Sequence, residues 1–398
     1  MLTFLVVSAF FGSRNSKHRL VLVFAAAVWG CGNSVTKVGA PTTVAGGNGA
    51  VYGSEFLGIH SELRRADLRL GVLGRSRAKE DGDLDDLTRA ARASDFADLD
   101  ILVRLAAAEI ERAGVEKGSR AQRDLASAAQ NLERALVIEE HFAPALNQLA
   151  LLHLVRATKM AEEAAGQRGQ PAAEPLCTGD LVSRGPGSHR NTLELAMSIC
   201  LQTVREHPTY APIHNTLGLV ELEFRDAAAA MTEFEYATRL DPSYLDAQSN
   251  LAAVLLAARN FEAAERAYDR IVDLSTGDYD AHLGRALARR GQITESNFGS
   301  QVKSVESDLE RCIELDPERP EAYYDDAILT EQFKLKVTPK EKAKSVMDQA
   351  RSLFDTFIIK AAGHPEYARE VRLAKKRRYD IGGARMPRVV PDCSPGKP

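Results

Sequence analysis

Cysteine is scarce in this sequence. Five residues in 398 cannot make a scaffold held by dense disulfides. Tryptophan occurs once and the net charge is −4; the first suits an all-helical array of small residues, and the second gives no general case for a nucleic-acid partner. HExxH, GxSxG and CxxC are absent, which removes the commonest metal, nucleophile and dithiol signatures. Gly46-Gly47-Asn48-Gly49 is not followed by the Lys-Ser/Thr of a phosphate loop. His153, His214 and His282 fall on helical positions with no Cys or His at ligand spacing, so they read as structural. Acidic residues are plentiful, yet no pattern pairs two of them in a pocket. These absences leave no catalytic residue, no metal and no cofactor to assign, and the chain reads as a non-enzyme.

What the sequence does have is a repeat. Residues 208–276 repeat with a step of 34. Pro208 recurs as Pro242, and Leu217-Gly218 as Leu251-Ala252. Ala196, Ala230 and Ala264 share the step, as do Phe234 and Tyr268. Such a period marks a helix–turn–helix unit that cannot bury its apolar face alone and must stack on its neighbours. Gly218, Ala230 and Ala252 are small where two helices have to approach. Phe234 and Tyr268 fill the space between hairpins, and Asp241-Pro242 stops the second helix. The skeleton Leu217-Gly218, Ala230, Phe234, Ala237, Pro242 resembles the tetratricopeptide (TPR) family, whose Trp and Tyr on the first helix are replaced here by His214 and Glu221. The resemblance implies an all-α, TPR-like solenoid of about six hairpins, three with lengthened connections. It covers most of 95–360 and is sharp only in 208–276.

The N-terminus carries a different signal. Lys17-His18-Arg19 precede the apolar run Leu20 to Val28, then Trp29-Gly30-Cys31. A basic start, a short apolar stretch and a small residue make a secretory signal, and the run is too short to span a bilayer as a helix. Val28-Trp29-Gly30-Cys31 resembles the bacterial lipobox, although Trp29 is bulkier than is usual there. The resemblance implies that Cys31 is lipidated, so that acyl chains anchor the protein to a membrane. No Asp follows Cys31, which by the same resemblance points to the outer membrane. An earlier apolar run, Leu2 to Phe11, implies a downstream start or an extended leader.

The remaining order is read as follows. Residues 1–31 are the signal, and 32–94 a Gly/Thr-rich tether with a weakly helical lead-in. The solenoid occupies 95–365, with Asp95 placed to cap its first helix. An inserted loop, 165–189, splits the second hairpin and is read as a surface loop with a partner-binding role or a tolerated insertion. A basic capping helix and an aperiodic tail occupy 366–398, the helix cationic through Arg369, Arg372, Lys375 to Arg378. Cys200 and Cys312 replace core residues and read as buried thiols. Cys177 and Cys393 lie in loops and, in an oxidising envelope, have each other or Cys200 as partners.

Function follows from the resemblance alone. The family's geometry puts Asn215, Leu219, Ser249 and Ala253 on a concave groove with Asn250 beside it, where side-chain amides would grip an extended peptide. The expectation is a non-catalytic scaffold on the outer membrane facing the periplasm, binding envelope proteins or peptides, similar to the TPR lipoproteins of the myxobacterial gliding-motility complex. A pilotin-like lipoprotein for secretin or pilus assembly is the alternative, against which the 165–189 insertion counts. A cytosolic TPR regulator would require that 17–31 is no signal. A solenoid-based cell-wall lyase would need a separate catalytic domain, for which no non-repeat segment is long enough.

Overall fold

The structure, a computed structural model, describes residues 77–116, 118–167, 187–364 and 367–382. The expectations for Cys31, the tether before residue 77, Cys177, Cys393 and most of the 165–189 insertion fall outside these residues. Among the described residues the chain is all-α, a TPR-like helix–turn–helix solenoid. Helix α1 (Arg77–Ala93) leads in. Six hairpins follow: α2 (Leu99–Val115) with α3 (Ser119–Ile138), α4 (Ala143–Gln167) with α5 (Gly187–Glu206), α6 (Ala211–Glu223) with α7 (Ala227–Leu240), α8 (Leu245–Ala257) with α9 (Phe261–Leu274), α10 (Tyr279–Gly291) with α11 (Phe298–Leu315), and α12 with α13 (Lys340–Lys360). Helix α12 runs as Glu321–Leu329, widens through a π turn at Thr330–Lys334 and closes at Leu335–Val337. Helix α14 (Ala368–Gly382) packs on α13.

The step of 34 becomes a spatial repeat. The first helices α6, α8 and α10 start 34 residues apart. Asp226 and Asn260, also one step apart, cap α7 and α9 by accepting from Ala229 N at 2.9 Å and Ala263 N at 3.4 Å, which satisfies amides that a helix start leaves open. Each turn into the second helix passes through a left-handed residue, Arg225 (φ 65°) and Arg259 (φ 59°). Asp241 and Asp316 are extended, so Leu-Asp-Pro ends both helices, as the residue before proline avoids the helical region.

Packing explains the small residues. Leu217, Ala230, Phe234, Ala237, Leu251, Ala252, Ala264 and Tyr268 are all buried. A Cβ on Gly218 would stand 2.7 Å from the Phe234 ring, inside the same hairpin. Tyr268, one repeat on, lies over Gly284 of the following hairpin, where a Cβ would collide with the ring. The apolar core is not one body. A long central cluster runs from Ala150 to Phe333, a second joins α2, α3 and α4, a third joins α12, α13 and α14, and a small one ties Leu84 and Ala91 of α1 to Leu105.

Leu84 and Ala91 give the polar lead-in helix α1 an apolar edge that it buries against Leu105. One cap differs from the sequence reading. The cap of α2 is Asp98, accepting from Ile101 N at 3.1 Å, while Asp95 and Phe96 turn the chain with positive φ.

Candidate interaction face

The first helices α4, α6, α8 and α10 touch in sequence along one side of the array. Their side chains interlock. Thr216 Oγ1 of α6 donates to Asn147 Oδ1 of α4 at 2.7 Å. Asn250 Nδ2 of α8 donates to Asn215 Oδ1 of α6 at 2.8 Å, and Asn215 Nδ2 reaches the Tyr244 hydroxyl at 3.5 Å. Thr216 and Asn250 occupy equivalent places, so one rung of a ladder is used twice. At the next equivalent place stands Gly284, under Tyr268, and that rung is replaced by a ring.

The expected groove residues therefore divide. Asn215, Asn250 and Leu219 are 4%, 1% and 5% exposed. The amides that were expected to hold a peptide hold each other, a buried bond of about 1 kcal/mol between hairpins. Ser249 and Ala253 are half-buried, on one stripe of α8 with half-buried Asp246 and exposed Ala257. With half-buried Pro212 and Leu222 of α6 they form a strip of small and apolar side chains with one acid, Asp246.

A second repeated device pins each first helix to the loop before it. His214 Nε2 meets Pro208 O at 3.0 Å, Gln248 Nε2 donates to Pro242 O at 3.3 Å, and His282 Nε2 meets Thr276 O at 3.2 Å. His214 and His282 have the structural place that their spacing gave them. The His214 ring also meets Glu233 Oε2 through Nδ1 at 2.7 Å. Both contacts are acceptors, so the ring serves both only when doubly protonated. Burial opposes that charge, but the bonds to Glu233 and the Pro208 carbonyl outweigh it and hold the His214 pKa up. Nearby, burial pushes Glu221 up to about 7, with Glu233 and Asp226 adding to it.

These two groups give a pH prediction. A histidine raised in the folded state stabilises fully below its unfolded value and loses that contribution as pH rises through the folded value. A carboxyl raised from 4.5 to about 7 keeps a proton that the unfolded chain gives up, so stability again falls as pH rises across that window. Thermal midpoints are therefore expected to drop from about pH 5.5 to about pH 8. Glu221→Gln should flatten the lower part of that slope; an unchanged slope would show that Glu221 ionises freely.

Charge is also concentrated between the fourth and fifth hairpins. Asp308 of α11 is 4% exposed and accepts from Arg285 at 2.7 Å and Arg289 at 2.8 Å, while Asp269 and Glu265 of α9 take the other arms. Further on, Arg290 is 2% exposed, donates to the Asp325 carbonyl at 3.3 Å and lies 3.7 Å from its carboxylate. Burial pushes Asp325 up to about 7, Arg290 pulls it down, and Glu321 and Asp326 add to the rise. Cys200 and Cys312 are buried free thiols whose pKa burial raises, which leaves them unreactive. In α14, Arg377 pairs with Glu331 of α12 at 2.8 Å and Arg378 with Asp355, so part of its basic run is spent on holding the helix. Among the described residues no cluster of three His, Cys, Asp or Glu is arranged to hold a metal, and no helix is long and apolar enough to cross a membrane.

Sequence reasoning missed Asn147, Thr216, Tyr244, Arg290 and Asp325. The loop staple was within reach, since His214, Gln248 and His282 keep the 34-residue step with Pro208, Pro242 and Thr276.

No protein-family profile matches the chain. A stretch of 88 residues, 22% of the chain, is 32% identical to superkiller protein 3 of Schizosaccharomyces pombe and spans 6% of that protein. Among solved structures, PilF of Pseudomonas aeruginosa is 15% identical, with 69% of this chain and 96% of that one covered at a TM-score of 0.43. A thermophilic TPR protein of Thermus thermophilus is 19% identical, with 56% and 97% covered at 0.40. The fold assignment rests on the 34-residue repeat and its packing.

Proposed function

We propose that this protein is a non-catalytic interaction scaffold, held at the outer membrane by lipid on Cys31, that presents its first-helix strip to an envelope protein. The observation that carries this reading is the strip itself. Beside it Thr216 bonds Asn147 and Asn250 bonds Asn215, and what remains open is a preformed face of small and apolar side chains with one acid, Asp246. A rigid face loses little freedom on binding. The assembly served is an envelope machine of the kind whose gliding-motility lipoproteins the chain resembles. Support for the anchor is the basic and apolar run ending at Gly30-Cys31.

The test has two arms. Cys31→Ser should abolish fatty-acid labelling and move the protein into the soluble periplasmic fraction; an unlabelled wild type would end the anchor reading. Ala253→Arg puts bulk and charge on the strip without touching the Asn215–Asn250 rung. It should cut recovery of envelope partners about tenfold or more, with melting unchanged. Equal recovery from wild type and Ala253→Arg would move the binding surface elsewhere.

A further inference from the structure

Helix α4 is 25 residues long, whereas α6, α8 and α10 are 13 each. The extra turns carry Arg156, Lys159, Met160 and Glu163 beyond the regular hairpin. The second helices on either side, α3 and α5, wall a cleft of about 520 Å³ around this stretch. It lies on the α3–α5 side of α4, away from the strip formed by the first helices.

The lining sets three apolar side chains and two cations among neutral polar groups and one acid, Glu163. Leu125 of α3, Met160 of α4 and Leu195 of α5 give the apolar wall, and Leu195 is 46% exposed. Lys159 Nζ donates to Gly114 O at 2.6 Å and lies 3.4 Å from Glu162. Arg156 is half-buried and donates from Nη2 to Leu125 O at 3.2 Å. Elsewhere Arg112, Arg285, Arg289 and Arg319 each face a carboxylate at 2.7–2.9 Å. Among the described residues Arg156 faces none within ion-pair distance, and burial pulls its pKa down. A partly desolvated cation with no acid beside it is stabilised by any anion that reaches it.

Charge and shape narrow the ligand. Glu162 answers Lys159 and Glu163 also lines the cleft, so these four charges sum to zero and Arg156 is the one cation left to receive an anion. Burial and Arg156 keep His153 below its ordinary pKa, hence neutral. That balance suits a single negative charge better than a phosphate dianion, and the apolar wall calls for hydrocarbon. A volume of this size is typical of small-ligand sites. We infer that the cleft binds an aliphatic monocarboxylate, its carboxylate on Arg156 with Lys159 beside it and its hydrocarbon against Leu125, Met160 and Leu195. Two sources share this chemistry: a free alkyl carboxylate, and the C-terminal residue of a peptide ending in an aliphatic side chain.

Calorimetric titration of the full chain separates them. The probes are octanoate, octanol, and an Ala-Ala-Leu peptide as free acid and as amide. At least one acid should bind, and its neutral counterpart should not. Arg156→Gln should weaken the bound acid about tenfold to a hundredfold, as loss of a charge-assisted bond does. Lys159→Met, which keeps the stem, should weaken it less. Tighter octanoate identifies a free acid; tighter peptide acid with a silent amide identifies a chain terminus. The inference is overturned if neither acid binds at millimolar concentration, if octanol matches octanoate, or if both variants bind like wild type. Should Arg156→Gln fail to fold, the neutral probes and Lys159→Met still decide.

Discussion

Asp325→Leu is expected to lower the unfolding free energy by about 3–5 kcal/mol, because it takes the carboxylate away from the buried Arg290 guanidinium while the backbone carbonyl of residue 325 stays. Both side chains are almost wholly enclosed, at 2% and 4% exposure. Arg290 comes from α10 and Asp325 from α12, so the loss falls on the seam between the last two hairpins. Removing both charges is a different matter. Arg290→Met with Asp325→Leu replaces the pair by apolar volume, and such exchanges are often neutral or stabilising. The double variant should recover most of the loss in urea denaturation, with a coupling well above that of sites far apart. A single-variant loss below about 1 kcal/mol would show that another group takes over the charge. Glu321, buried beside them, is the first to test.

Phe234→Ala should cost a similar amount, about 3–5 kcal/mol, for an unrelated reason. The ring is fully buried, and its edge stands where a Cβ of residue 218 would be. Truncation leaves a hole between α6 and α7 that the helices close only in part. Gly218→Ala makes the opposite error, pressing a methyl into the ring at a cost of about 1–3 kcal/mol. The two changes should offset one another. Gly218→Ala added to Phe234→Leu should cost less than the two separately, since the smaller side chain leaves room for the methyl. Strict additivity in thermal melts would mean that the two positions do not touch.

The fold was legible because it is periodic. Helix ends at 211, 227, 240, 245 and 261 follow from where Pro, Asp and Asn recur, and the end at 274 from the 34-residue step, with Thr276 in the place of the proline. The prolonged α4 and α12 were less so, since Gly166 and the π turn at Thr330–Lys334 break the period without ending the local helix at the expected residue. The face was legible as a side of α6 and α8, but not as a set of contacts. Spacing puts Asn215 and Asn250 on the same side of their helices; it does not say that a residue on one helix meets the residue one place further along on the next. That axial offset arises from how the hairpins stack, and it turns two expected ligands into a buried bond. Arg290 and Asp325 were hidden for the same reason, since their meeting depends on the lengthened link at 292–297. Arg156 leaves no trace in the sequence, because what marks it is that no acid among the described residues lies within ion-pair distance of it.

The division of the apolar core into successive clusters has a consequence for time as well as structure. In an array where each hairpin leans mainly on the next, opening is local. The N-terminal group of α2, α3 and α4 shares only α4 with the central cluster, and the C-terminal group meets it only at α12. Either end can come apart and close again while the long central cluster stays shut. Amide protons at the two ends are then released to solvent on short lifetimes, and those of α7 to α10 on the slowest clock in the molecule. A partner that seats on α6 and α8 meets a surface that outlasts many such openings.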